Sequence, residues 1–100
     1  MEAQFEQNGS NLSIKVTGRL DTIASRDFMT QVEEHLDKGI SDVVIDCSEL
    51  EYISSSGLRV LMTIYKRTAP IGGSLTLRQL TPQVGEVLNI TGMASLFNIE

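Results

Sequence analysis

The sequence predicts an α/β fold: one mixed, mostly parallel sheet of about four strands, an N-terminal hairpin, and helices packed on the sheet. Three observations lead there. Leu12, Ile14 and Val16 alternate with Ser13, Lys15 and Thr17 just after an Asn8-Gly9 turn signal, which marks a half-buried strand entered from a hairpin. Ala24, Phe28, Val32 and Leu36 then fall four apart, the stripe of an amphipathic helix. Val43-Val44-Ile45 follows as a short, unalternating β-branched run, the pattern of a central strand buried on both faces.

The elements read in order as follows. Residues 3–7 form a short strand with Ala3 and Phe5 on one face, paired through the turn with the strand at Leu12–Val16. Gly18 and Asp21-Thr22 punctuate the chain; Asp21 or Thr22 caps the first helix, and Gly39 suits the left-handed position beyond its end. The central strand gives way to a loop over 46–57. A second helix starts at Ser54-Ser55-Ser56-Gly57 and carries Leu58, Leu61, Ile64 and Tyr65 at helical spacing, with Arg59, Thr63 and Lys66 outward. Pro70 and Gly72-Gly73 close it, and Leu75 and Leu77 alternate in the next strand. Thr81-Pro82 opens a third helix, proline at the first helical position losing only an amide hydrogen that had no partner. Val84, Val87 and Leu88 form its buried stripe and Gly92 ends it; Met93, Leu96, Phe97 and Ile99 fold back as a short helical turn. Right-handed crossovers make the strands after the hairpin parallel.

Length and composition narrow the function. One hundred residues make a single domain spanning 1–100, able to bury about 60–65 % of its unfolded surface without disulfides or metals. Apolar residues at 41 % and charged residues at 21 % are ordinary for a folded protein. A formal net charge of −5 argues against nucleic acid as a partner, which demands clustered Lys and Arg. No apolar run is long enough for membrane insertion, and MEAQFEQNGS is unlike the basic-then-apolar opening of a secretory signal. Cys47 is the lone cysteine, which fits a reducing compartment. The expectation is a soluble, cytoplasmic protein.

The chemistry concentrates at Ser54–Gly57. Loops at the carboxyl ends of strands are where α/β sheets meet ligands, and this one delivers three serines to a helix start. Unpaired amides and the positive end of the helix dipole favour a phosphate there by about 0.3–1 kcal/mol. A serine so placed accepts a phosphoryl group without refolding the domain; equally, one serine serves as the helix cap and the others face water.

The run VVIDCSELEYISSSGLRVLMTIYKR, preceded by GRLD and a helix and followed by the tail TGMASLFNIE, resembles the STAS family across nearly the whole chain. The family's best-known members are bacterial anti-sigma-factor antagonists that work by partner switching. The resemblance implies a binding protein and not an enzyme, with an anti-sigma factor that is also a serine protein kinase as one partner and a phosphoserine phosphatase as another. Unmodified, such a protein binds the anti-sigma factor and releases the sigma factor; phosphorylated, it lets go, and the phosphatase resets it. The resemblance implies Ser55, two residues before Gly57, as the phosphoacceptor, with Ser54 and Ser56 as rivals and Asp21 supporting the phosphosite beside Gly57. The outward face of the second helix adjoins Ser55, so Ser54, Ser55, Ser56, Leu58 and Arg59 are the expected partner-facing residues. Family members commonly carry Asp immediately before the phosphoserine, where this chain has Ser54. The alternative implied by the same fold is an unphosphorylated binding module, such as the small STAS subunit docked on a lipid-transport ATPase.

Other chemistry-bearing residues fit poorly with catalysis. His35 is the only histidine; lying beside the apolar stripe of the first helix, it reads as structural, and one distant histidine makes no triad. SSSG lacks the glycine two residues before the nucleophile that a hydrolase elbow needs. Cys47 with His35 is no metal-ligand set, and Cys47 reads as core. Gly72-Gly73 has no following lysine and opens no helix, so it is a turn and no phosphate loop. No cofactor is expected.

Overall fold

The computed structural model describes residues 1–100. Strand β1 (Glu2–Asn8) turns through Gly9-Ser10 into β2 (Asn11–Leu20), and the two pair antiparallel from Asn8↔Asn11 to Glu2↔Thr17. Gly9 has φ +64°, a left-handed conformation that the turn requires and glycine adopts at no steric cost. Helix α1 (Thr22–Leu36), β3 (Asp42–Ile53), α2 (Ser55–Thr68), β4 (Ser74–Arg78), α3 (Pro82–Thr91) and β5 (Asn98–Ile99) follow, with short 3-10 turns at Ala69–Ile71 and Met93–Ser95. The strands lie in the order β1-β2-β3-β4-β5, with β2 to β5 mutually parallel. The expected α/β sheet with its N-terminal hairpin is therefore present.

Each crossover steps one strand in the same direction, so right-handed connections put all three helices on one face. Burial agrees. Leu12, Ile14 and Val16 of β2, Val43, Ile45 and Cys47 of β3, and Leu75 and Leu77 of β4 point into the core. There they meet Phe28 and Val32 of α1, Val60, Leu61 and Ile64 of α2, and Val84 and Leu88 of α3. The other face carries Ser13, Lys15, Asp46 and Arg78 and is largely open. This corrects the expectation that the Val43–Ile45 strand is covered on both faces: Val44 is only half-buried. A β-branched run suits any pleated strand and does not by itself report a second helical layer.

Two further differences bear on the functional end of the sheet. The 46–57 segment is not a loop: β3 runs on to Ile53, and its pairing with β2 continues to Leu20↔Ile53. Register shifts fall between Lys15 and Thr17 and between Gly18 and Arg19. They reset the inward phase of β3 so that Cys47, Leu50 and Ile53 are buried at a spacing of three, which masks the period of two that signals a strand. Gly18, expected to end β2, instead sits within it at φ +97°. At the other end of the chain, the tail forms the expected helical turn at Met93–Ser95 but then adds a fifth strand, β5, beside β4. Phe97 is buried, its ring edge-on to Tyr65 of α2 with centroids 5.8 Å apart.

Candidate functional site

Strands β2 and β3 outrun the five-residue β4 and carry two helix starts to one end of the molecule. They are tied together at their tips. The amide of Ser54 donates to the Leu20 carbonyl at 3.0 Å, and the Ser54 hydroxyl donates to the same oxygen at 2.9 Å. The Ser54 Oγ also accepts the Gly57 amide at 3.1 Å, making Ser54 the N-cap of α2. With both hydroxyl roles filled and 8 % of its surface exposed, Ser54 is a structural clasp. A carboxylate here would accept the Gly57 amide but has no proton to give the Leu20 carbonyl, so the serine does what an ionised aspartate cannot.

The residues after each clasped position emerge side by side. Asp21 is exposed and caps α1, its Oδ1 accepting the Ala24 amide at 2.9 Å. Ser55 is exposed at the first position of α2, and Ser56 is half-buried and turned towards α1. Its amide and that of Ser55 lie ahead of the first intrahelical acceptor, at the positive end of the 14-residue α2. Gly57 is buried where a Cβ would come within 2.7 Å of Ile53 Cγ1 and 3.0 Å of the Leu20 carbonyl oxygen. Only glycine lets α2 begin so close to the two strand tips. Leu58 is half-buried and Arg59 exposed, Arg59 standing one turn below Ser55 on the same helix face. All seven sequence-predicted positions therefore share this end of the fold.

The stretch Asp46-Cys47-Ser48 is shaped by a local hydrogen bond. Asp46 Oδ1 accepts the Ser48 amide at 2.9 Å at the first register shift, and that bond holds the Asp46 carboxyl below the usual carboxylate range. Cys47 between them is 2 % exposed, and burial pushes its thiol up to about 12, so it is no nucleophile at neutral pH. His35 is half-buried, stacked on Phe5 at 4.9 Å between centroids and 3.2 Å from Gln7 Oε1. It belongs to the β1 edge and has no part in the serine turn. Arg67 pairs with Asp37 at 2.8 Å, far down α2 from Ser55.

The sequence reading did not single out a groove between α1 and α2. It has a volume of about 580 Å³ and runs down from Ser56, with Arg26 and Arg59 on its two walls. Nor did it find Ile23, 80 % exposed in the first turn of α1, or Arg19, whose guanidinium lies 4.3 Å from the centre of the exposed Tyr52 ring. The available signal was spacing: Arg26 follows Thr22 by four as Arg59 follows Ser55. No helix is long and apolar enough to cross a membrane.

Comparison with known proteins gives this geometry its relatives. BtrV of Bordetella bronchiseptica, named as an anti-sigma factor antagonist, is 35 % identical over 82 % of this chain and 71 % of its own length. The anti-sigma-B factor antagonist of Bacillus subtilis is 24 % identical over 99 % of this chain and 90 % of its own. Among solved structures, the anti-sigma factor antagonist SpoIIAA in its unphosphorylated form superposes with a TM-score of 0.88 at 17 % identity, covering 99 % of this chain and 88 % of SpoIIAA. Phosphorylated SpoIIAA, from Bacillus, gives 0.79 at 17 % identity over 99 % and 91 % of the two chains. Residues 2–100 match the STAS domain, and the chain belongs to that family.

Proposed function

We propose that this chain is an anti-sigma-factor antagonist acting in the cytoplasm as one folded domain: a binding protein, not an enzyme. Its partner is an anti-sigma factor that is also a serine kinase, its phosphoacceptor is Ser55, and a phosphoserine phosphatase resets it. One observation carries the choice of serine. Of the three hydroxyls at the start of α2, only that of Ser55 is on an exposed residue, while Ser54 is buried with its donor and acceptor roles both used. Relatives named as anti-sigma factor antagonists, and a similar fold solved with and without phosphate, support the regulatory reading. Unmodified, the chain sequesters the anti-sigma factor and frees the sigma factor. Phosphate at Ser55 adds about −1.5 to −2 charges to a contact from which water is excluded, and the complex parts.

Incubation with the kinase partner and ATP, followed by peptide mass spectrometry, is expected to find phosphate on Ser55 and none on Ser55→Ala. Label on Ser54 or Ser56 instead would move the site. No binding to that partner and no label on any serine would favour the docking-module alternative, a STAS subunit seated on a lipid-transport ATPase.

A further inference from the structure

The groove between α1 and α2 is a basic feature of an acidic protein. Thirteen Asp and Glu face eight Lys and Arg in the sequence, yet no carboxylate lines this groove. Its walls carry Arg26 on α1 and Arg59 on α2, each four residues into its helix. Lys15, Arg67 and Arg78 are ion-paired and Arg19 is stacked on Tyr52. Arg26 and Arg59 are the two arginines with no such partner, and they share one groove. Between them the floor is apolar, from Met29 and Val60. The hydroxyls of Thr30 and Thr63 on the walls are turned back onto the Arg26 and Arg59 carbonyls at 3.2 and 2.9 Å.

We propose that this groove seats an acidic segment of the protein partner, with carboxylates on Arg26 and Arg59. A cleft about 580 Å³ in volume is larger than one small anion requires, and two guanidiniums on opposite walls match carboxylates presented together on one chain. Guanidinium forks pair with carboxylates in a bidentate way, giving direction as well as charge. The inference deepens the reading of Ser55 as the switch and rests on it for the partner's identity. Arg59 lies one turn below Ser55, so a phosphate there repels the seated carboxylates and competes for the Arg59 guanidinium. Phosphorylation thus acts on the groove as well as on the contact around Ser55.

The test needs no kinase. A blocked helical peptide with glutamates one turn apart, and its glutamine counterpart, are titrated into the full chain while backbone amide shifts are followed. The glutamate peptide is expected to shift the amides of Thr22–Thr30 and Ser56–Thr63, to bind about tenfold more tightly than the glutamine peptide, and to weaken as salt is raised. Arg26→Gln combined with Arg59→Gln abolishes the preference, whereas Lys38→Gln, outside the groove, keeps it. Absence of groove shifts, equal binding of the two peptides, or a preference that survives the double substitution overturns the proposal and leaves the Ser55 reading standing. Conversely, a kinase partner that fails to label Ser55 sinks that reading and leaves the peptide result intact. With the kinase partner itself, Arg26→Gln is expected to lower affinity by about tenfold or more while Lys38→Gln does not.

Discussion

At Asp21 the observed cap and the proposed support of the phosphosite can be separated by substitution. Its Oδ1 caps α1 through the Ala24 amide, and we propose that the same carboxylate assists phosphoryl transfer at Ser55. Asparagine keeps a capping oxygen and loses the charge; alanine loses both. Asp21→Asn is therefore expected to melt within a degree or two of the parent yet be phosphorylated more slowly. Asp21→Ala adds a stability loss of about 1 kcal/mol, which is about 4–8 °C in Tm for a chain of this size. Thermal melts beside a phosphorylation time course check both, and equal labelling rates in the two variants and the parent would leave Asp21 as a cap alone. Ser54 shows the same economy from the other side. Its hydroxyl closes a bond to the Leu20 carbonyl that an ionised aspartate cannot, and the residue is buried.

Among the elements, α2 is held closest to the sheet at Gly57, and the magnitudes there decide the sign of a substitution. Replacing a helical glycine by alanine gains up to about 1 kcal/mol of helix propensity. Against it, a Cβ at 2.7 Å from Ile53 and 3.0 Å from the Leu20 carbonyl is overpacking, which costs about 1–3 kcal/mol. The Leu20 oxygen is fixed by two bonds from Ser54, so it does not retreat. Gly57→Ala is expected to lower Tm by several degrees, read by calorimetry; an unchanged or raised Tm would mean the strand tips yield. The elements also differ in how openly the sequence displays them. Helices α1 and α3 are plain, because Phe28, Val32 and Leu36 keep helical spacing and Pro82 and Gly92 bracket the latter. The far half of β3 is hidden, because register shifts move Cys47, Leu50 and Ile53 inward in threes. Strand β5 is hidden for another reason: two residues have no period, and what holds them is β4 alongside and Phe97 packed on Tyr65. At the site, the motif displayed Ser55, but the groove lies between residues far apart in sequence and depends on how α1 and α2 pack.

For the molecule as a whole, the proposed switch works by charge and leaves the fold as it is. Ser55 occupies the first turn of α2 with its side chain in water, and negative charge at a helix N-terminus is neutral to mildly stabilising, by about 0.3–1 kcal/mol. None of the buried core depends on it: Val60, Leu61 and Ile64 hold α2 to the sheet from below, and Ser54 supplies the cap. Against a partner's surface the same charge is expensive, because water is lost and the Arg59 guanidinium, one turn away, offsets only part of that loss. Ser55→Asp should therefore match or slightly exceed the parent's Tm and bind the anti-sigma partner at least several-fold more weakly. Ser55→Ala should bind as well as the parent and resist release by ATP. Aspartate carries one charge where phosphate carries nearly two, so true phosphorylation should weaken binding further than the mimic does. Calorimetric titration of each form against the partner, beside its thermal melt, measures both halves of the claim. A phosphorylated chain that binds like the parent would sink the charge mechanism. A chain that loses its cooperative melt on modification would show that the switch acts by unfolding α2 instead.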